Sequence, residues 1–141
     1  MITSFTGEYS FLSNFWIGQI NVFGGIYPSA EHAYQASKAL TQDDHDLIAR
    51  TSTPGQAKRA GKLVKLSPDW ELVKIHVMRA IVQAKFEQHP DLMDKLMKTR
   101  PLELIEGNTW GDKFWGQCPI GSGRNELGKI LMAIRDDITR I

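Results

Sequence analysis

The chain has 141 residues, 42% hydrophobic and 23% charged, with a formal net charge of +1. That suits one compact domain spanning residues 1–141, able to bury roughly two-thirds of its unfolded surface without staples, and it lacks the basic excess of a non-specific nucleic-acid binder. Cys118 is the only cysteine, which excludes an internal disulfide and a cysteine-rich metal site. The start, Met1-Ile2-Thr3-Ser4-Phe5, has no basic, then apolar, signal-peptide pattern. No run approaches the ~18 apolar residues of a spanning helix. The expectation is a soluble, cytoplasmic protein without a membrane partner.

The first third is irregular and rich in aromatic residues. Ile17 to Tyr27 has strand character with glycines at 24 and 25, which predicts a short hairpin turning at Gly24-Gly25. Tyr27-Pro28-Ser29 opens a helix with Ser29 as N-cap, running to about Leu40. Helices are expected at Asp43 to Arg50 and at Gln56 to Val64, the latter basic with Lys58, Arg59, Lys62 and Lys65. Ser67-Pro68-Asp69 precedes the longest helix, Trp70 to Gln88, whose core stripe reads Val73, Val77, Ile81 and Ala84, with Met78 and Val82 beside it. Pro90 begins a helix through Lys98, Leu102 to Glu106 reads as a short strand, and Asn125 to Ile138 closes the chain. The expected fold is α+β: a mainly helical single domain with a small antiparallel sheet.

At about 100° per residue, Glu31, Tyr34, Gln35 and Lys38 share one face of the first helix, opposite the small residues Ala33, Ala36 and Ser37 and the apolar Leu40. A solvated surface helix has this pattern, and so does the wall of a cleft. Glu31 and Lys38 stand two turns apart, about 10 Å along the axis, so they are not an ordinary i, i+4 surface pair. His32 lies to the side of this stripe. A lone histidine there reads as a structural hydrogen-bonder, and no metal is assigned to it.

Asn108 to Gly116 combines Trp110, Trp115, Gly111, Gly116 and Asp112 in one loop. Such a loop suits a wall that stacks on a planar ring, and tryptophans that plug a core give the same pattern. Asp112, a carboxylate between aromatics, is singled out as a functional candidate. Gly121-Ser122-Gly123-Arg124-Asn125 leads into the last helix, where free N–H groups would favour phosphate. It lacks the Gly-Lys-Ser/Thr ending of a Walker A loop, and no clear strand precedes it as the dinucleotide fingerprint requires. A plain capped turn is the competing reading.

Taken together these segments resemble a known family. Phe11-Leu12-Ser13-Asn14-Phe15 and Tyr27-Pro28-Ser29-Ala30-Glu31-His32-Ala33-Tyr34-Gln35-Ala36, with Lys38, resemble the N-terminal signature of the NADAR (YbiA-like) family. Trp70, Met78 and Lys85-Phe86 resemble its middle. Asp112-Lys113-Phe114-Trp115-Gly116 and Gly123-Arg124-Asn125-Glu126-Leu127-Gly128 resemble its C-terminal part. The resemblance implies an α+β domain and N-glycosidase chemistry on a ribosylated nucleotide, either a phosphoribosylated riboflavin-pathway intermediate or an ADP-ribosylated guanine. Nucleic acid enters only as a modified substrate, and neither cofactor nor metal is implied.

The resemblance points to Glu31 and Lys38 as catalytic candidates, with Asp112, Trp115 and Asn125 in the pocket. Cleaving an N-glycosidic bond builds positive charge at C1′ and negative charge on the base, so Glu31 or Asp112 can serve either centre. A neutral Lys38 amine can instead form a Schiff base with an opened ribose, given a depressed pKa. Trp115 and Trp70 are candidates to stack on the base, and Arg124, Lys58 or Arg59 to meet phosphate. Asn14, Phe15, Tyr34, Gln35 and Gly116 complete the substrate-binding set. A non-catalytic ADP-ribose or nucleotide-binding module is the alternative reading.

Overall fold

A computed structural model describes residues 1–138. The fold is α+β and mainly helical, with six α-helices and one two-stranded antiparallel sheet among the described residues. Contacts group the chain into two compact units, Asn14–Gln88 and the pair of segments Met1–Ser13 and His89–Ile141.

In the first of these units, β1 (Ile17–Val22) and β2 (Gly25–Ser29) pair antiparallel, with Ile20 opposite Tyr27 and Val22 opposite Gly25. The turn falls one residue earlier than expected, on Phe23 and Gly24, both at positive φ (54° and 75°). That is the twist a two-residue hairpin requires. α1 (Ala30–Ser37) starts as expected, with Ser29 Oγ accepting the His32 N–H at 3.1 Å. It ends three residues short of Leu40 because the next segment pairs elsewhere. The Ser67 N–H donates to the Lys38 carbonyl, and the Leu40 N–H to the Lys65 carbonyl, each at 2.9 Å. Lys38 is therefore the C-cap of α1.

α2 (Gln42–Ala49) and α3 (Pro54–Gly61) are capped by Thr41 and Thr53, whose side chains accept from Asp44 and Gln56. α3 ends three residues before the expected Val64. α4 (Trp70–Gln88) has the expected bounds, but a different face is buried. Met78, Ile81, Val82, Lys85 and Phe86 are buried, at i, i+3, i+4, i+7 and i+8, while Val73, Val77 and Ala84 are only half-buried. The charge on Lys85 disguises the true stripe. α1 packs against α2, α3, α4 and the hairpin, at the centre of this unit.

The other unit holds a 3₁₀ turn (Gly7–Leu12), α5 (Pro90–Lys98) and α6 (Glu126–Ile138) around Leu92, Leu96, Leu104, Leu127, Leu131 and Ile134. Leu102 to Glu106 is not a strand. Leu104 makes only an isolated bridge with Ile2, through Ile2 N–H to the Glu103 carbonyl at 2.9 Å and Ile105 N–H to the Ile2 carbonyl at 2.8 Å. Asn125 ties this segment to α6. Its Oδ1 accepts the Glu106 N–H at 3.0 Å and its Nδ2 donates to the Leu104 carbonyl at 2.9 Å.

Two expectations follow. Asn125 is buried at φ 53°, so Asn125→Ala strands two backbone groups and adds left-handed strain; chemical denaturation should record a loss of roughly 2–4 kcal/mol. Lys85 is wholly buried, with Nζ 5.3 Å from the Trp16 ring centre and 5.2 Å from that of Phe86. Desolvation lowers its pKa from 10.5 to about 7, so between those values the unfolded chain binds more protons and stability rises with pH. In Lys85→Met the rise of stability with pH between about 7 and 10.5 should flatten, which scanning calorimetry against pH checks.

Candidate active site

The polar face of α1 is not solvated. Glu31, Tyr34 and Gln35 are 7%, 8% and 6% exposed; behind them Ala33 and Ala36 are buried, Ser37 is half-buried and Leu40 is exposed. The surface-helix reading fails because α1 is packed from several sides at once. The Glu31 N–H donates to the Asn14 carbonyl at 3.0 Å, and the Asn14 side chain lies 3.4 Å from Met78 Sδ, which docks the loop before β1 between α1 and α4. Phe15, next in that loop, is exposed.

Within the face, Gln35 Nε2 donates to Glu31 Oε1 at 2.9 Å. Gln35 Oε1 is buried without a hydrogen-bond partner. Tyr34 lies against Trp70, ring centres 5.3 Å apart and tilted by 54°. Trp70 is only 5% exposed, so its ring supports Tyr34 more than it offers a surface to a base. His32 is a structural hydrogen-bonder: Nε2 donates to the Thr51 carbonyl at 2.9 Å, and Nδ1 takes the Ser29 hydroxyl proton at 2.7 Å. Desolvation lowers its pKa, in keeping with a neutral ring.

Lys38 is half-buried. Desolvation lowers its pKa, the Glu31 carboxylate pulls it back up, and the Lys62 ammonium lowers it further. A desolvated amine with a cationic neighbour is the setting that makes lysine a nucleophile near neutral pH. Lys62, the C-cap of α3, was not singled out in the sequence for this role. It reads there as one member of a basic helix, and only the packing of α3 on α1 brings its charge to Lys38.

Of the other predicted residues, Lys58 and Arg59 lie on α3 in the first unit, half-buried and exposed, and Asp112, Trp115, Gly116, Arg124 and Asn125 lie in the other unit. Asp112 Oδ1 accepts the N–H groups of Phe114 and Trp115 at 3.0 and 2.9 Å, and Asn108 brackets its backbone through Oδ1 and Nδ2. That carboxylate therefore shapes its own loop. Trp110 is 61% exposed and Trp115 is half-buried, edge-on to Phe114. Neither plugs the core.

The glycine-rich turn before α6 is a plain capped turn. The N–H groups of Arg124, Asn125, Glu126 and Leu127 already donate to the carbonyls of Lys113, Gly116, Phe114 and Trp115. Gly116 lies so close to the Glu106 backbone and carboxylate that no side chain fits. Arg124 is exposed, paired with Glu126 at 3.0 Å and stacked 4.6 Å from the Phe114 ring centre. A cavity of about 350 Å³ in this unit, lined by Thr3, Asn108, Gln117 and Cys118 among others, contains none of the predicted residues.

The NADAR domain model matches residues 3–139. N-glycosidase YbiA of Escherichia coli (strain K12) is 39% identical over 137 residues, covering 96% of this chain and 85% of that protein. Riboflavin biosynthesis protein VVA0006 of Vibrio vulnificus is 38% identical over 133 residues, 93% of this chain but only 36% of that longer protein. The NMR structure of E. coli YbiA superposes with a TM-score of 0.88 at 38% identity, covering 99% of this chain and 83% of that one. With its family model, relatives and fold in agreement, the chain belongs to the NADAR domain family.

Proposed function

We propose that this chain is an N-glycosidase that hydrolyses the ribose C1′–N bond of a ribosylated base, acting as one NADAR domain with Glu31 and Lys38 as its central catalytic groups. The relatives named N-glycosidase support a hydrolase of N-glycosyl bonds. The relative named for riboflavin biosynthesis supports a phosphoribosylated intermediate of that pathway as substrate. A phosphorylated substrate does not cross lipid unaided, so the proposed site of action is the cytoplasm. Among the described residues no helix is long and apolar enough to span a membrane.

The observation that carries the reading is a desolvated Lys38 amine on the same buried helix face as Glu31. When the scissile nitrogen is an exocyclic amine, protonating the ring oxygen opens the ribose to a C1′ imine. The Lys38 amine adds to C1′, the base nitrogen takes up a proton and departs as a neutral amine, and a lysine Schiff base remains. Water then adds to C1′, the lysine leaves, and the free aldehyde closes to ribose. Glu31 moves the protons at the ring oxygen and the departing nitrogen.

Chromatography of released base from ribosylated bases and pathway intermediates tests the activity. Lys38→Ala and Glu31→Gln should each lower kcat by at least about 100-fold. Borohydride should trap a ribose-sized adduct on the wild type and none on Lys38→Ala. Normal folding and full turnover in both variants would sink the proposal. Release only from ADP-ribosylated guanine would reassign the substrate, and tight ADP-ribose binding with no base released would make the chain a binding module.

The pH dependence has a definite sign. The attacking amine must be neutral, so the rate rises with pH through the Lys38 pKa, which lies below the ordinary lysine value. Lys62→Met removes a charge that lowers this pKa. The rising limb of log kcat against pH should therefore move to higher pH in that variant.

A further inference from the structure

Gly61, the last residue of α3, is buried. Its φ is not among the positive values that call for glycine, and helix propensity favours alanine at such a position. What requires glycine is space. A Cβ placed there would overlap Gln35 Oε1 and stand 2.9 Å from both Gln35 Cδ and Lys38 Cε. The bare backbone of α3 thus forms a slot that holds the Gln35 carboxamide and the Lys38 stem side by side.

Gln35 sits in that slot at a cost. Its Oε1 is buried with no hydrogen-bond partner while its Nε2 is committed to Glu31 at 2.9 Å. A buried acceptor without a donor destabilises the fold, and such groups call for an explanation outside stability. Here the acceptor end is pressed against Gly61, which leaves the carboxamide one way to point its donors: toward the carboxylate.

We propose that Gly61 and Gln35 are a positioning pair, in which the glycine slot orients the Gln35 carboxamide so that its N–H group holds the Glu31 carboxyl aligned for the proton transfers of the reaction. This rests on the reading of Glu31 and Lys38 as catalytic groups, and it changes the role of Gln35 from touching substrate to acting through Glu31. The same slot fixes the Lys38 stem, so one close approach of two helices sets both groups.

The test compares Gln35→Met, Gly61→Ala, Gln35→Ala and the double variant Gly61→Ala/Gln35→Ala, leaving Lys38 and Lys62 in place. Base-release kinetics, thermal melts and ¹³C NMR titration of the Glu31 carboxyl are read in each. Gln35→Met keeps the shape and removes both the donor and the orphan acceptor. Its Tm should be no lower than wild type. Its Glu31 should titrate at higher pH, because a hydrogen bond to the ionised form is lost.

Its kcat should fall by at least about 10-fold, the worth of one charge-assisted hydrogen bond. KM should stay within about threefold, since the loss lies in the reacting state. Gly61→Ala should shift the Glu31 titration the same way, and that shift should add little in the Gln35→Ala background, because it passes through the Gln35 carboxamide.

A Gln35→Met protein with wild-type kcat and an unmoved Glu31 titration overturns the pair and leaves the catalytic reading standing. Glu31 titration shifts for Gly61→Ala and Gln35→Ala that add in full in the double variant also overturn it. Wild-type turnover in Glu31→Gln overturns the catalytic reading and this inference together.

Discussion

Burial of the polar face of α1 is the constraint on which the rest of the first unit depends. Eight residues, Ala30–Ser37, form this helix, and seven of them are buried. Ordinarily a helix keeps charged and amide side chains on a wet face. Here Glu31 and Gln35 are enclosed by α2, α3, α4 and the hairpin, so each polar group needs a partner from within the unit. The Asn14 carbonyl takes the Glu31 N–H, Ser29 caps the helix and shares its hydroxyl with His32, and Gln35 turns its donors to Glu31. The one group left over, Gln35 Oε1, marks where the arrangement favours the carboxylate over stability.

Much of the secondary structure is legible in the sequence because it is punctuated locally. Pro90 sits at the first position of α5, Thr41 and Thr53 cap α2 and α3, and Ser29 caps α1. The errors come where tertiary pairing overrides a local pattern. Residues 38–40 are compatible with helix but pair with 65–67. Leu102 to Glu106 has strand composition, but the segment beside it contributes only the single bridge at Ile2.

The candidate site shows the same division. The spacing that puts Glu31, Gln35 and Lys38 on one face is a property of any helix and is visible in the sequence. Their burial is not, because it depends on which elements pack around α1. Lys85 is the clearest case. It continues the stripe of Met78, Ile81 and Val82, but its charge makes the stripe look finished, and the alternative through Val73 and Val77 then reads better. Gly61 is equally silent in sequence, where it falls inside the helix expected to run to Val64; its role comes from what lies across from it.

Ending α1 at Ser37 also has an electrostatic consequence. The helix leaves unpaired N–H groups at one end and carbonyls at the other, so a carboxylate is favoured in the first turn and a cation at the C-terminus. Glu31 lies in the first turn and Lys38 is the C-cap. The helix therefore favours the charged form of both groups. For Glu31 the Gln35 hydrogen bond acts in the same direction. For Lys38 the effects conflict: desolvation and Lys62 favour the neutral amine, while Glu31 and the helix end favour the ammonium. The net direction is downward, with desolvation the largest cause, which favours the neutral amine that a lysine attacking C1′ must present. Had α1 continued to Leu40, Lys38 would lie within the last helical turn, with its backbone carbonyl no longer directed at Ser67. The pairing of residues 38–40 with 65–67 thus does more than shorten a helix: it places the lysine at the helix end, where α3 can hold its stem and set its charge.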